Sequence, residues 1–232
     1  ATTDDYDLVI SLGGDGTANE IINGLMNIPE DARPVFACLP GGNANVLSRY
    51  LGFSPNPKRA ALELVSALKA KRNLHLGLGH VSAQAESELQ RYFAFNAGIG
   101  LDAEVLHEMD VARHSGKKVS DAKYLVFVLK KLIKWAHNPV PQLNLNGTPV
   151  FFAFIQNLSP WTYLAGRPIS PQPHAYPDSA LSVIAMRTTK LRKLLSLALS
   201  MLVSKDIRKN TDRKSTRLNS SHTDISRMPS SA

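Results

Sequence analysis

The sequence predicts an α/β fold in two lobes: a parallel α/β lobe over residues 1–74 and an antiparallel, β-rich lobe over residues 75–211. Three observations predict it. Leu8 to Leu12 is a short apolar, β-branched run that suits a buried parallel strand; it ends in Gly13-Gly14-Asp15-Gly16, before a helical pattern with apolar Ile21, Ile22, Leu25 and Met26. The same order returns at once. Pro34 to Leu39 reads as a second buried strand, Pro40-Gly41-Gly42-Asn43-Ala44-Asn45 as a second glycine turn, and Ala44 to Leu51 as a helix stopped by Gly52, with Asn43 a good N-cap. From Gln142 the texture changes to strands, Leu143 to Leu145 and Val150 to Gln156, about a turn at Asn146-Gly147.

A strand, a glycine turn and a helix start form the architecture that holds phosphate. Glycine lets the backbone come close, and the free N–H groups and positive dipole end of the helix face the anion. Asp15 lies inside the first turn. A carboxylate beside a phosphate site makes electrostatic sense with a cation between them, which implies Mg²⁺. The same residues also suit an ordinary tight turn, with Thr17 and Glu20 forming a capping box on an unliganded helix. The Lys-Ser/Thr ending of the commonest phosphate loop is absent.

Pro57 to Lys71 is an amphipathic helix with Ala61, Leu64, Val65 and Leu68 on one face and Lys58, Arg59, Lys69, Lys71 and Arg72 solvated. Leu74, Leu76 and Leu78 alternate with His75, Gly77 and Gly79 as a half-exposed strand; His75 and His80 lack metal-ligand spacing. Tyr92 to Leu106 is a third strand–turn–helix junction, in which Asp102 suits a cap on a helix from Ala103. A basic loop, His114 to Lys118, precedes a helix with Ala122, Leu125, Val126, Leu129, Leu132 and Ile133 on one face and Lys123, Lys130 and Lys134 opposite. That back is either solvated or a cationic surface for lipid heads, with Trp135 at the interface. Ser159 to Pro177 reads as a long Pro-rich loop, Leu181 to Met186 as a strand and Lys190 to Val203 as a helix.

The formal charge of +8 favours an anionic partner, whether nucleotide, nucleic acid or acidic membrane surface. Cys38 is the lone cysteine, expected as a buried thiol, so an internal disulfide framework is excluded and a reducing cytoplasm suits the chain. The longest apolar stretch, Leu194 to Val203, is too short to span a bilayer. Residues 212–232 have no hydrophobic period, read as a disordered tail and look like translated sequencing adapter, so the native part is expected to be a fragment, about Ala1 to Thr211.

Gly13-Gly14-Asp15-Gly16-Thr17, followed by Asn19-Glu20 and Asn23-Gly24, closely resembles the nucleotide-binding signature of the diacylglycerol kinase catalytic family, which includes bacterial lipid kinases and sphingosine and ceramide kinases. Pro40 to Asn45 resembles that family's second ATP-reaching turn, and Asn96 to Ala103 its Asn-x-x-x-Gly-x-Asp-Ala stretch. The resemblance implies the two-lobe fold shared by NAD kinases and diacylglycerol kinases, and an ATP- and Mg²⁺-dependent transfer to a lipid hydroxyl, diacylglycerol first. It implies Gly13, Gly14, Asp15, Gly16, Thr17, Asn19, Glu20 and Asn43 on the nucleotide, and Asp15 with Asp102 in a Mg²⁺–water network. It also implies a structural Mg²⁺ on Asp178 and the carbonyls of Ala175 and Ala180. Val46 stands where many members carry a further carboxylate, a position the sphingosine-kinase-like branch also leaves without one. The family's general base, in an Asp-Gly-Glu motif, would lie beyond Thr211, so the chain as given is expected to be inactive. A lipid substrate at the membrane surface, a cytoplasmic and peripheral location, no nucleic acid and room for a homodimer complete the expectation. A soluble NAD kinase and a non-catalytic lipid- or nucleotide-binding relative are the alternatives.

Overall fold

The computed structural model describes residues 6–82, 90–99, 143–145, 148–164, 166–170, 180–187 and 213–218, with isolated positions between them. β1 (Leu8–Gly13) and β2 (Val35–Pro40) pair in parallel, Leu8 opposite Val35 through Gly13 opposite Pro40. Parallel strands need a crossover, and α1 (Asp15–Leu25) supplies it, burying Ala18, Ile22 and Leu25. A single 3₁₀ turn, Glu30–Ala32, leads into β2. α2 (Val46–Tyr50) and α3 (Pro57–Lys69) follow, both packed on β2.

These elements match the predicted order, with four local corrections. β1 is not the buried strand its apolar run suggested: Ser11 is its one buried residue, and Ile10 and Leu12 are 50% and 68% exposed. α1 begins at Asp15, with Gly14 as its N-cap and the Ala18 N–H on the Gly14 carbonyl at 3.1 Å. Thr17 is therefore already in the first turn, and the capping box does not form. The cap of the second helix is Asn45, not Asn43: Asn45 takes the left-handed conformation (φ 50°, ψ 48°) and α2 starts one residue later. On α3 the face turned inward is Ala60, Leu64 and Ala67, whereas Val65 and Leu68 point outward. The helix carries apolar residues round more than half its circumference, and the small alanines allow the closer approach to β2. Its start is built as read: the Asn56 side chain accepts from the Lys58 and Arg59 N–H groups, with Pro57 at the first position.

Beyond Lys71 the chain is antiparallel. Leu76 and Leu78 are buried, but Gly77 and Gly79 are buried with them, so the alternation read there fails, and β3 starts later, at Gly79–Ser82. It pairs with β4 (Gln90–Phe93), and the Phe93 ring lies over Gly79, filling the space a side chain would occupy. The third junction splits: β4 is followed by a separate β5 (Asn96–Ile99), which joins another sheet. The predicted hairpin keeps its first strand, β6 (Leu143–Leu145), but its partner is the shorter β7 (Thr148–Val150). The predicted second strand, Val150 to Gln156, is divided at Phe151, and its larger part, β8 (Phe152–Gln156), pairs in another sheet.

The stretch read as a long loop contains a second hairpin, β9 (Thr162–Leu164) and β10 (Arg167–Ile169), turned through Gly166 at φ 79°. β11 (Leu181–Met186) has the predicted bounds, and all six residues are buried. It pairs with β8 on one side and with β12 (Arg213–Leu218) on the other, giving the four-stranded order β12-β11-β8-β5. The tail segment read as disordered thus extends a sheet over those residues. β12 pairs with β11 along its whole length, Leu181 opposite Leu218 through Met186 opposite Arg213, and so covers the main-chain edge that β11 would otherwise present. The basic loop His114 to Lys118, the helix predicted after it (Ala122 to Lys134) and the one from Lys190 to Val203 lie almost entirely outside the described residues. No helix among the described residues is long and apolar enough to cross a membrane.

One hydrophobic core joins Ile22, Phe36, Leu47, Leu51 and Leu64 of the first lobe to Leu76, Leu78, Ala94 and Leu158. Two side-chain amides, Asn157 buried and Asn23 half-buried, stitch across it. Asn157 donates to the carbonyls of Gly77 (2.7 Å) and Ala94 (2.8 Å). Asn23 acts as a false strand residue, donating to the Tyr92 carbonyl at 2.9 Å and accepting from its N–H at 2.8 Å, so α1 is fastened to β4. Asn23→Ala would leave both Tyr92 groups without that partner. A loss of about 2 kcal/mol is expected, read as a lower urea midpoint with an unchanged slope.

Candidate functional site

Two glycine turns meet at the C-terminal ends of β1 and β2, the end of an α/β sheet where ligands collect. Their contact is main chain on main chain. Gly41 N–H donates to the Gly13 carbonyl at 2.8 Å. A Cβ on Gly41 would stand 2.8 Å from Gly13 N, and one on Gly42 would stand 2.6 Å from Gly14 Cα. Gly41 and Gly42 are thus required by the approach of one turn to the other, and Gly14 faces Gly42 Cα at 3.3 Å from where its Cβ would stand. Gly13 is required instead by the Thr17 side chain of its own turn, 2.8 Å from such a Cβ. Gly16 differs, since a Cβ there would meet nothing within 4 Å. The open side of the first turn is at Gly16 and the exposed Thr17.

Asp15 reaches across between the two turns. Its Oδ1 accepts from the Leu47 N–H at 3.1 Å, so the carboxylate sits at the start of α2. Burial pushes its carboxyl above the usual carboxylate range, against the opposing pull of the main-chain N–H groups of Val46, Leu47 and Asn45. Asn45 closes the second turn on itself: Gly42 N–H donates to its Oδ1 (2.8 Å) and its Nδ2 to the Gly42 carbonyl (2.7 Å). Cys38, under this arrangement in β2, is a buried thiol as expected, pushed up to about 12 by burial and then by the Asp15 charge. Ellman's reagent is expected to leave it untouched in the folded protein and to titrate one thiol after unfolding. Fast reaction of the native state would contradict the burial.

The other sequence-predicted residues divide. Asn19 is on α1 beside the turn; its carbonyl accepts from Asn23 Nδ2 at 2.8 Å, and its buried Oδ1 has no hydrogen-bond partner among the described residues. Asn96 Oδ1, in β5, is likewise buried without a partner among them. Glu20 is engaged elsewhere, in an ion pair with Arg91 of β4. Asn43 is exposed on the second turn and makes no cap. Asp102, Asp178 and Ala175 lie outside the described residues, while Ala180 directly precedes β11. Sequence reasoning missed Asn45 as the residue that shapes the second turn, although Asn is the commonest non-glycine residue in the left-handed region and so carried a signal. It also missed Arg49, whose guanidinium lies 3.6 Å from the centre of the Tyr163 ring and joins α2 to the β9–β10 hairpin.

The first turn of α1 suits a triphosphate. Among the described residues no side chain caps it, it opens at Gly16, and α1 runs for 11 residues behind it. For Mg²⁺ the described residues supply one carboxylate, Asp15, and nowhere among them do three His, Cys, Asp or Glu gather. That donor set fits an ion held mainly by water and phosphate oxygens, the usual state of Mg²⁺ beside a nucleotide.

Comparison with known proteins agrees with this geometry. The family model of the diacylglycerol kinase catalytic domain matches residues 1–77. A Staphylococcus aureus (strain MSSA476) protein described as a "putative lipid kinase" is 36% identical over 93 residues, which are 36% of this chain and 30% of that relative. A similarly described protein of S. aureus strain JH9 is 43% identical over 63 residues, 27% of this chain and 20% of the relative. The matched stretches therefore span a third or less of those relatives. Among solved structures, a "putative diacylglycerol kinase" from Bacillus anthracis str. Sterne superposes with a TM-score of 0.61 at 20% identity, covering 98% of this chain and 79% of that one. A second structure from the same organism, titled as a diacylglycerol kinase, gives 0.57 at 21% identity over 97% and 77% of the two chains. These likenesses show the fold.

Proposed function

We propose, because residues 1–77 carry the diacylglycerol kinase catalytic domain signature, that the full-length protein is an ATP- and Mg²⁺-dependent lipid kinase. It would move the γ-phosphoryl group of ATP to a lipid hydroxyl, with diacylglycerol giving phosphatidic acid. The observation that carries the reading is the uncapped first turn of α1, open at Gly16 and backed by the glycine turn after β2. Phosphoryl transfer asks a protein for positioning and charge neutralisation more than for covalent chemistry. The main-chain N–H groups of residues 14–17 and the Thr17 hydroxyl would hold phosphate oxygens, with Asn43 on the facing turn. Mg²⁺, when bound, would supply the neutralising charge on the phosphates, and Asp15 and Asp102 are the residues that would hold it through water. Asp178, Ala175 and Ala180 would hold a second, structural Mg²⁺. The work is done at the cytoplasmic membrane surface, on lipid and ATP, without nucleic acid.

The test is calorimetry on the full-length protein with ATP, with and without Mg²⁺, beside a thin-layer assay offering diacylglycerol or NAD as acceptor. Mg²⁺-dependent nucleotide uptake and labelled phosphatidic acid are expected. Absence of that uptake overturns the reading, and labelled NADP transfers the protein to the NAD kinases.

A further inference from the structure

We propose that the outward face of α3 docks on an anionic bilayer surface. This deepens the lipid-kinase reading and rests on it for its purpose, since a kinase of bilayer lipids has to lie against the bilayer. The sequence put the charged residues of this helix on a merely solvated side with the apolar ones inward; the structure separates them differently. Ala60, Leu64 and Ala67 are enough to hold α3 against β2, and Leu62, Val65 and Leu68 remain 70%, 48% and 40% exposed.

Along the outer side, Lys58, Leu62, Val65 and Lys69 follow one another at i, i+4, i+7 and i+11, so they form one stripe with two apolar residues at its centre and a lysine at each end. Lys71 lies just beyond the helix, also exposed. The single acidic residue of α3, Glu63, is turned aside, accepting from the Ser54 N–H at 2.7 Å and from Arg59 Nε at 3.0 Å. The stripe therefore presents cations and apolar side chains with no carboxylate among them. A protein partner would meet exposed leucine with apolar surface but would have no use for lysines at both ends. An anionic bilayer answers both, because apolar side chains enter the headgroup region while lysine stems lie along it and carry the ammonium groups to the phosphates.

The experiment uses full-length protein and two variants, Leu62→Ser/Val65→Ser and Lys58→Glu/Lys69→Glu. Each is sedimented with vesicles of phosphatidylcholine alone and of phosphatidylcholine with phosphatidylglycerol. Turnover is measured on a short-chain diacylglycerol dissolved in water and on long-chain diacylglycerol within the vesicles. The wild type is expected to bind the anionic vesicles, more weakly as salt rises. The charge variant should bind at least about tenfold less. Both variants should keep their melting temperature and their turnover on the dissolved acceptor, and lose turnover on the embedded one. Variants that sediment like the wild type overturn the proposal. So does a variant that shifts a dimer to a monomer in light scattering, or one that melts early, since each means that protein covers this face. If vesicle binding depends on α3 and the wild type phosphorylates no lipid, docking stands and the kinase reading falls; lipid turnover with α3-independent binding is the reverse.

Discussion

Asp15→Asn in the full-length protein is expected to cut turnover roughly 10²- to 10³-fold, the size of effect seen when one electrostatic stabiliser is removed from a transition state, without weakening the fold. The two consequences separate because the carboxylate has two duties. As an acceptor for the Leu47 N–H it helps to start α2, and an Asn oxygen in the same place keeps that bond. As a negative charge it is costly to bury, and burial is the leading cause of its raised pKa. The sign follows from linkage. An acid whose folded pKa lies above its unfolded value of 3.8 binds more protons folded than unfolded. Stability therefore falls as pH rises through that interval, and the cost stays in full above it. In urea unfolding at a series of pH values, Asp15→Asn should match the wild type in acid, where both side chains are neutral. It should be equal or more stable near neutrality. A variant that unfolds early at pH 7 would mean that the charge serves the fold. One that keeps turnover would remove Asp15 from the chemistry.

Gly42→Ala should be the most damaging single methyl in the first lobe. The added carbon would stand 2.6 Å from Gly14 Cα, and the atom it meets is main chain, with no rotamer to move aside. Overpacking of this kind costs about 3 kcal/mol, or roughly 6–12 °C in melting temperature for a domain of this size. Gly16→Ala is the matched control, since its Cβ would meet nothing within 4 Å. Near-wild-type melting is expected for it in calorimetric scans, together with weaker nucleotide binding because the methyl fills the open side of the turn. Equal stability losses at positions 42 and 16 would mean that the turns do not touch as described.

How far the sequence could be read depends on which force sets each element. β2 and β11 are largely buried apolar runs, and their ends were legible to within a residue because burial dominates there. β1 was legible from its β-branched run and the glycines that end it, although it leaves Ile10 and Leu12 exposed. The hairpin of β6 and β7 announced itself through Asn146-Gly147. Helix starts were harder. Thr17 and Glu20 satisfy a capping pattern, yet a main-chain bond from Ala18 to Gly14 begins α1 earlier, and Glu20 finds Arg91, which is distant in sequence. The inward side of α3 was misjudged because alanine carries little hydrophobic weight in a pattern but allows the closest approach in space. The β9–β10 hairpin was hidden by Gly166 and Pro168, which look like loop residues and here occupy a turn and a short strand. Within the site, the glycines were found for half of the right reason. Phosphate binding was inferred from their freedom, whereas Gly14, Gly41 and Gly42 also meet across the contact between two turns, and Gly13 makes room for the Thr17 side chain.

α2 is only five residues long, too short to hold its shape by its own hydrogen bonds. Its first amides rest on Asp15 and its far end is tied through Arg49 to Tyr163. Such an element borrows its shape from its two anchors, the carboxylate at one end and the aromatic ring at the other, so the second glycine turn is held in place by contacts from outside its own helix.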